Sequence, residues 1–421
     1  MRFRLKIGKQ DLLEKVLYLM LIVQVMGIRW LNLTRRYSYI FLLLLLFQFI
    51  SRIRGYRKIA KGFFWFLITL VYFWYSAYNN TSVGMQNFKL FFPSLCVFVF
   101  VGYLIGNRKE TLSRFFYKCA WLFNVYYFVN IPALMIELGG NLALAGKHPD
   151  GVVNPMKEDL ICGLLGYNGT PLLGLYTAFM TVLNIDIYGK IKNKNYRVAF
   201  GVYNIIVLAF MLWISTKNDN KTCFLLIALF VAIYKLYDVY RGVSQTTVDK
   251  IKGIAKYIIF AIASICVVYN VLIRIEATNK ILTSIMTRIT EGLDLGAKAT
   301  GSAERIGAVV YILGDPIHHM LGYGLGNYTW RQNGAFGFYH FGQNDLSVFL
   351  MLGGIVFVAL ILLMIYFITM DNIKSNLLAT VMVVLFLILM TYTQLVTEFS
   401  STCILAFFYT LCCLKCKEGD C

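Results

Sequence analysis

Between residues 274 and 343 the chain carries a long polar stretch in which arginine, histidine, glycine and aromatic residues occur together. Arg274, Arg288 and Arg305 are three cations able to hold an anion through charge-assisted hydrogen bonds. Arg305 falls in the first turn of a helix predicted to start at Ser302, with Glu304 beside it, and to end at Gly314-Asp315-Pro316. A cation at the positive end of its own helix is unfavourable unless helix end and arginine share an anion. A surface ion pair is the other reading. His340 and Asp345 stand at the mouth of the next apolar run, where a polar side chain needs a partner or a task. Either can serve as the base that takes a proton from a hydroxyl.

Between these groups lies Leu321-Gly322-Tyr323-Gly324-Leu325-Gly326-Asn327. No βαβ pattern surrounds it, so it is not a dinucleotide fingerprint. Two readings of Gly322, Gly324 and Gly326 stand: a tight, close-packed turn, or successive N–H groups forming an anion nest. Upstream, Ile281, Ile285, Ile289 and Leu293 recur every four residues and predict an amphipathic helix on a membrane face, with Arg288 and Glu291 off the apolar stripe. Trp330, Phe336, Phe338 and Tyr339 suit either stacking on sugar faces or an interfacial belt.

The elements that must position these groups are membrane spans. The chain has 421 residues, 59% hydrophobic and 14% charged, whereas a soluble domain carries about a quarter charged residues. Apolar runs predict an all-α polytopic integral membrane protein forming one membrane domain. Twelve spans are expected: 12–28, 37–50, 62–78, 88–105, 115–136, 160–185, 198–214, 222–236, 257–273, 346–369, 377–395 and 399–414. The 274–343 loop then joins the ninth span to the tenth, and a second sizeable loop covers 137–159. The basic start MRFRLKIGK runs into a span with no small-residue cleavage site, so no cleaved signal peptide is expected.

The net charge of +19 raises the question of nucleic acid. The basic residues are spread over short loops, as orientation in a membrane requires. With the N-terminus inside, segments 1–11, 51–61, 106–114, 187–197, 235–256, 370–376 and 415–421 are cytoplasmic and hold 24 Lys and Arg. The opposite side holds 13, six of them in the long loop. Both termini are therefore expected in the cytoplasm and the long loop outside. Few charges lie well inside the spans, which argues against an ion-coupled pump. Of the ten cysteines none lies in the long loop; the Cys412, Cys413, Cys416 and Cys421 group lacks the paired spacing of a zinc site. No metal, no cofactor and no disulfide framework is expected.

On these residues the chain resembles the O-antigen polymerase and O-antigen ligase superfamily (Wzy- and WaaL-like proteins). The resemblance rests on residues 301–357: Glu304-Arg305 leading a helix, Asp315-Pro316 with the glycine turn, then Gln343-Asn344-Asp345 and Gly353-Gly354-Ile355 in an apolar run. The span layout extends it over the chain. It implies a membrane glycosyltransferase in the bacterial plasma (inner) membrane that polymerises polyprenyl-diphosphate-linked oligosaccharide repeat units on the external face. A chain-length regulator protein is an implied partner, besides membrane lipid; nucleic acid is not. Arg305, Arg288, His340 and Asp345 become catalytic candidates, and Arg274, the three glycines, Asn327 and Asn344 substrate-binding ones. The ligase-type His-Asn pair is Gln343-Asn344 here, which favours a polymerase over a ligase. A lipid-linked oligosaccharide flippase is the non-enzymatic alternative.

Overall fold

A computed structural model describes residues 9–27, 36–51, 60–78, 81–106, 112–141, 160–166, 169–218, 222–241, 308–324 and 344–418. The described residues are helical and contain no strand. Among the described residues, eleven α-helices of twelve residues or more follow one another: α1 (Lys9–Met20), α2 (Arg36–Ile50), α3 (Ala60–Tyr78), α4 (Thr81–Gly106), α5 (Leu112–Leu138), α6 (Thr170–Lys190), α7 (Lys194–Lys217), α8 (Thr222–Arg241), α9 (Asp345–Ile373), α10 (Asn376–Tyr392) and α11 (Phe399–Glu418). A π-helical segment, Leu21–Gly27, continues α1. A short helical piece at 308–313 ends at Gly314, whose N–H donates to Val310 C=O at 2.8 Å, at the stop expected from Gly-Asp-Pro.

Among the described residues, five helices are long and apolar enough to cross a membrane: Arg114–Leu138, Thr170–Lys190, Lys194–Lys217, Cys223–Tyr240 and Asp345–Ile373. Shorter apolar helices lie at Tyr37–Ile50, Phe91–Leu104, Asn376–Thr391 and Phe399–Cys413. These mark a helical membrane protein. On α7, Val198, Val202, Ile205 and Ile206 are exposed, as residues facing lipid are. The expected span at 257–273 lies outside the described residues, as does most of the 274–343 loop.

Two expected boundaries are corrected. The span expected at 160–185 starts at Thr170. Residues 160–166 instead hold a single 3-10 turn, Gly163–Leu165, because Gly163 and Gly166 take positive φ (62° and 75°), which a continuous α-helix does not accommodate. Gly169 then caps α6, and Pro171 sits in its first turn. Second, α5 runs on to Leu138, so Glu137, expected to open a loop, is helical and buried.

The chain divides into two compact units. The first comprises Met1–Lys61, Leu90–Val231 and Leu395–Leu414. Its core is aromatic: Phe123 stacks on Tyr176 (centroids 4.8 Å apart), Phe115 lies against Tyr18 at 4.8 Å, and Phe230 meets Phe408 at 4.0 Å. Within it, Asn124, Asn184 and Tyr203 tie α5, α6 and α7 together by hydrogen bonds of 2.6–3.1 Å. Buried polar groups need such partners where water is absent. The second unit comprises Gly62–Lys89, Ala232–Gln394 and Lys415–Cys421. There Trp65 stacks on Phe367 and Phe73 on Phe357, at 5.7 and 5.4 Å, holding α3 along α9. Asp371 accepts the Gly62 N–H at 2.8 Å, and Tyr237 OH donates to Leu378 C=O at 2.8 Å.

Candidate functional site

The site is built where α9 breaks. Gly354 takes φ 64°, ψ −162°, a conformation essentially confined to glycine, and it splits a 29-residue helix after nine residues. A break frees backbone groups that must find other partners in an apolar setting. Here the 315–324 segment supplies several of them. The N–H groups of Ile355 and Val356 donate to the carbonyls of His319 (3.0 Å) and Met320 (3.1 Å). Met351 C=O accepts the Tyr323 N–H at 2.7 Å. From α3, Ser76 and Tyr72 hydroxyls donate to Leu352 and Gly353 C=O at 2.7 and 3.0 Å.

This docking needs glycine on both sides. A Cβ on Gly322 (φ 71°) would lie 2.6 Å from the backbone nitrogens of Gly353 and Gly354. A Cβ on Gly354 would collide with the Met320 carbonyl. Of the two sequence readings of the glycine turn, the close-packed one describes Gly322: its own N–H is given to His318 C=O at 2.7 Å. Gly324 also takes positive φ (83°).

Asp315 organises the docked segment. It caps a helical turn that begins with Pro316, an arrangement that suits Asp at the cap and Pro at the first helical position. Its Oδ1 accepts the N–H groups of Ile317 (2.8 Å) and His318 (3.1 Å). Its Oδ2 faces His318 Nδ1 at 2.9 Å and accepts the Tyr323 hydroxyl. An ionised carboxylate only accepts, so His318 Nδ1 carries the proton. By the same logic His319 Nδ1, 2.8 Å from Asp315 C=O, is also protonated. In the neutral rings Nε2 is then the basic nitrogen. The His318 ring stacks on Tyr323 with centroids 4.1 Å apart and its side chain is 39% exposed, while that of Asp315 is 20% exposed.

The electrostatics follow from these bonds. The Tyr323 hydroxyl, then the Ile317 N–H and His318, hold the Asp315 carboxyl well below the usual carboxylate range. Burial, then the Asp315 charge, pushes the Tyr323 phenol up. Asp315 is therefore a permanent anion at neutral pH. An imidazole oriented by a carboxylate through Nδ1, with Nε2 left as its basic nitrogen, is a general-base arrangement for a hydroxyl.

Of the residues expected to form a site, four are described. Asn344 is the N-cap of α9: its Oδ1 accepts the Ser347 N–H at 2.8 Å and its Nδ2 donates to Thr391 C=O at 3.2 Å. Asp345 is fully buried in the first turn, where a carboxylate favours the helix dipole, and its N–H donates to Thr393 C=O at 3.4 Å. Both stand about 14–15 Å along α9 from the break, whereas Gly322 and Gly324 belong to the docked segment. Arg274, Arg288, Arg305, Gly326, Asn327 and His340 lie outside the described residues.

His318 and His319 were not singled out from sequence; Asp315 was read only as part of a helix stop and Tyr323 only as part of the glycine turn. The signal was present: Asp-Pro opens a turn as well as ending a helix, and that places His318 one turn from Asp315. No protein-family model, curated protein or solved structure matches the chain.

Proposed function

We propose that this chain is a membrane glycosyltransferase that joins polyprenyl-diphosphate-linked oligosaccharide repeat units into a surface polysaccharide. In this reading it works on the external face of a bacterial plasma membrane, with twelve spans and both termini in the cytoplasm. The observation that carries it is the Asp315-oriented imidazole of His318, held at the break of an apolar helix. Discontinuous helices in membrane proteins gather at substrate sites. Ile317 and Leu321, on the same turn, expose apolar side chains, which suits a lipid-tailed substrate.

The chemistry runs as follows. The acceptor sugar hydroxyl attacks the anomeric carbon of the donor as its proton passes to His318 Nε2. The anomeric C–O bond to the diphosphate breaks, and the electron pair leaves on the diphosphate oxygen. That anion needs cationic donors, for which Arg305, Arg288 and Arg274 remain the sequence candidates. Asp315 keeps the imidazole in the Nδ1–H tautomer and stabilises the imidazolium that forms. Holding two lipid-linked glycans side by side supplies much of the rate through orientation.

The test is elongation of a purified lipid-linked repeat unit by the protein in liposomes. His318→Ala should lower the rate by about 10²–10⁴, the usual worth of a general base. Wild-type protein that elongates nothing, but transfers finished glycan to another acceptor, is a ligase; one that only moves the lipid-linked unit across the bilayer is a flippase.

A further inference from the structure

The connection between α6 and α7, within the first unit, forms a charged surface that takes no part in the reaction above. Both helices are long and apolar enough to cross a membrane, and only residues 191–193 join them. So short a connection makes the two helices antiparallel neighbours, and it therefore lies at a membrane surface. It is strongly basic. Lys190, Lys192, Lys194 and Arg197 fall within eight residues, and no Asp or Glu occurs from 187 to 218. Lys190 pairs with Asp186 of its own helix at 2.7 Å. The other three cations are exposed, and no ion pair among the described residues includes them.

Two local arrangements hold these cations in place. Asn193 caps α7: its Oδ1 accepts the N–H groups of Asn195 at 2.9 Å and Tyr196 at 3.4 Å, with Lys192 just before the helix and Lys194 at its start. Tyr188, in the last turn of α6, packs against Gly201 of α7, where an added Cβ would lie 3.3 Å from the ring. The Arg197 guanidinium sits over that same ring, 4.8 Å from its centroid. Lys194 and Arg197 are three residues apart and share a face of α7. Their position does not help the helix, because its first turn holds no acidic residue and cations at an amino end oppose the dipole. Since Asn193 already takes the first N–H groups, the side-chain cations, and not the helix end, are what an anion would meet.

The neighbouring surface indicates which anion. Lys194, Val198, Val202 and Ile205 follow one another at intervals of four, four and three residues, so they line one face of α7. All four are exposed. Tyr188 and Tyr196 are exposed beside the cations, as aromatic residues at a membrane interface are. One helix face thus passes from cations to an apolar stripe, which matches a molecule with an anionic head and hydrocarbon chains.

We infer that Lys192, Lys194 and Arg197 bind the headgroup of an anionic phospholipid in the adjoining leaflet, with its acyl chains along Val198, Val202 and Ile205. Basic clusters at the end of membrane spans hold acidic lipids through their phosphates. The guanidinium, fixed on the Tyr188 ring, supplies a planar fork for the phosphate oxygens, and the two lysines supply point charges.

The experiment is hydrogen exchange at residues 190–198 of the purified full-length protein in detergent, titrated with short-chain phosphatidylglycerol. Exchange should slow at concentrations where phosphatidylcholine of the same chain length, or inorganic phosphate, has no effect. Each cation lost near an acidic headgroup weakens binding about fivefold, so Lys192→Gln/Lys194→Gln should need roughly 25-fold more phosphatidylglycerol for the same slowing, and Arg197→Gln added to it roughly 100-fold more. Arg54→Gln/Arg57→Gln/Lys58→Gln, which removes as much charge from another basic segment, should titrate as wild type at residues 190–198. Equal slowing by phosphatidylcholine or by phosphate, a lysine double variant that titrates as wild type, or the same weakening in the control variant overturns the site. Should the variant that includes Arg197→Gln not fold, the lysine double variant, altered only at exposed side chains, decides.

Discussion

Ile355 donates its backbone N–H to the carbonyl of His319 at 3.0 Å, across a break that a single residue, Gly354, opens in α9. Thirty-six residues of chain separate the two, and the contact places the Asp315–His318 pair against an apolar helix. The break, the docked turn and the imidazole are one structural unit, and each can be perturbed separately.

Gly354→Ala should undock the turn. The backbone there costs about 1–3 kcal/mol for a residue with a side chain, and the added methyl collides with the Met320 carbonyl. Faster hydrogen exchange at the Ile355, Val356 and Tyr323 amides, with loss of transfer activity, is the expected outcome. Gly189→Ala is the control: nothing lies within 4 Å of a Cβ there, so it should be neutral or stabilise by up to about 1 kcal/mol. Unchanged exchange in Gly354→Ala would show that the docking does not depend on this residue.

Asp315→Asn should separate orientation from folding. The depressed carboxyl means that its contribution to stability is present above the ordinary carboxylate range and is lost only as pH falls through the lower folded value. The Tm difference between wild type and Asp315→Asn should stay constant from neutral pH down to the ordinary carboxylate range and shrink below it. Transfer activity should fall at least tenfold at neutral pH, through loss of the imidazole's tautomer control. A Tm difference that vanishes already within the ordinary carboxylate range would contradict the hydrogen bonding described here.

Asn344→Ala should cost about 1 kcal/mol for the lost cap and more for the Thr391 carbonyl left unpaired. Asn344→Asp keeps the cap oxygen and should recover part of the loss in thermal unfolding. If Asn344→Asp folds as wild type but raises KM sharply, the residue contacts substrate in addition to capping α9.

The proposed orientation puts residue 302 outside. In a variant with the native cysteines replaced, Ser302→Cys should react with an impermeant thiol reagent in intact spheroplasts. Labelling only after lysis would invert the topology and remove the external reaction from consideration.

Sequence determined the helices, because length and apolarity are local properties: α2, α3, α7 and α10 fall where their apolar runs lie. Asn344 before an apolar run and Gly-Asp-Pro after Leu313 likewise marked a cap and a stop by residue type alone. What only tertiary structure decided was where a helix is interrupted and which partner a buried polar group finds. Gly353-Gly354 sits inside an uninterrupted apolar run, and a helix tolerates glycine there until carbonyls from a distant segment compete for its N–H groups. The same holds for His318, which became a candidate base only when Asp315 capped a turn instead of merely ending a helix. It holds for Glu137, whose buried carboxylate accepts N–H groups from Gly163 and Cys162, 26 and 25 residues away. Hydrophobic periodicity records burial along one element, whereas hydrogen-bond accounting needs every element that converges on the atom.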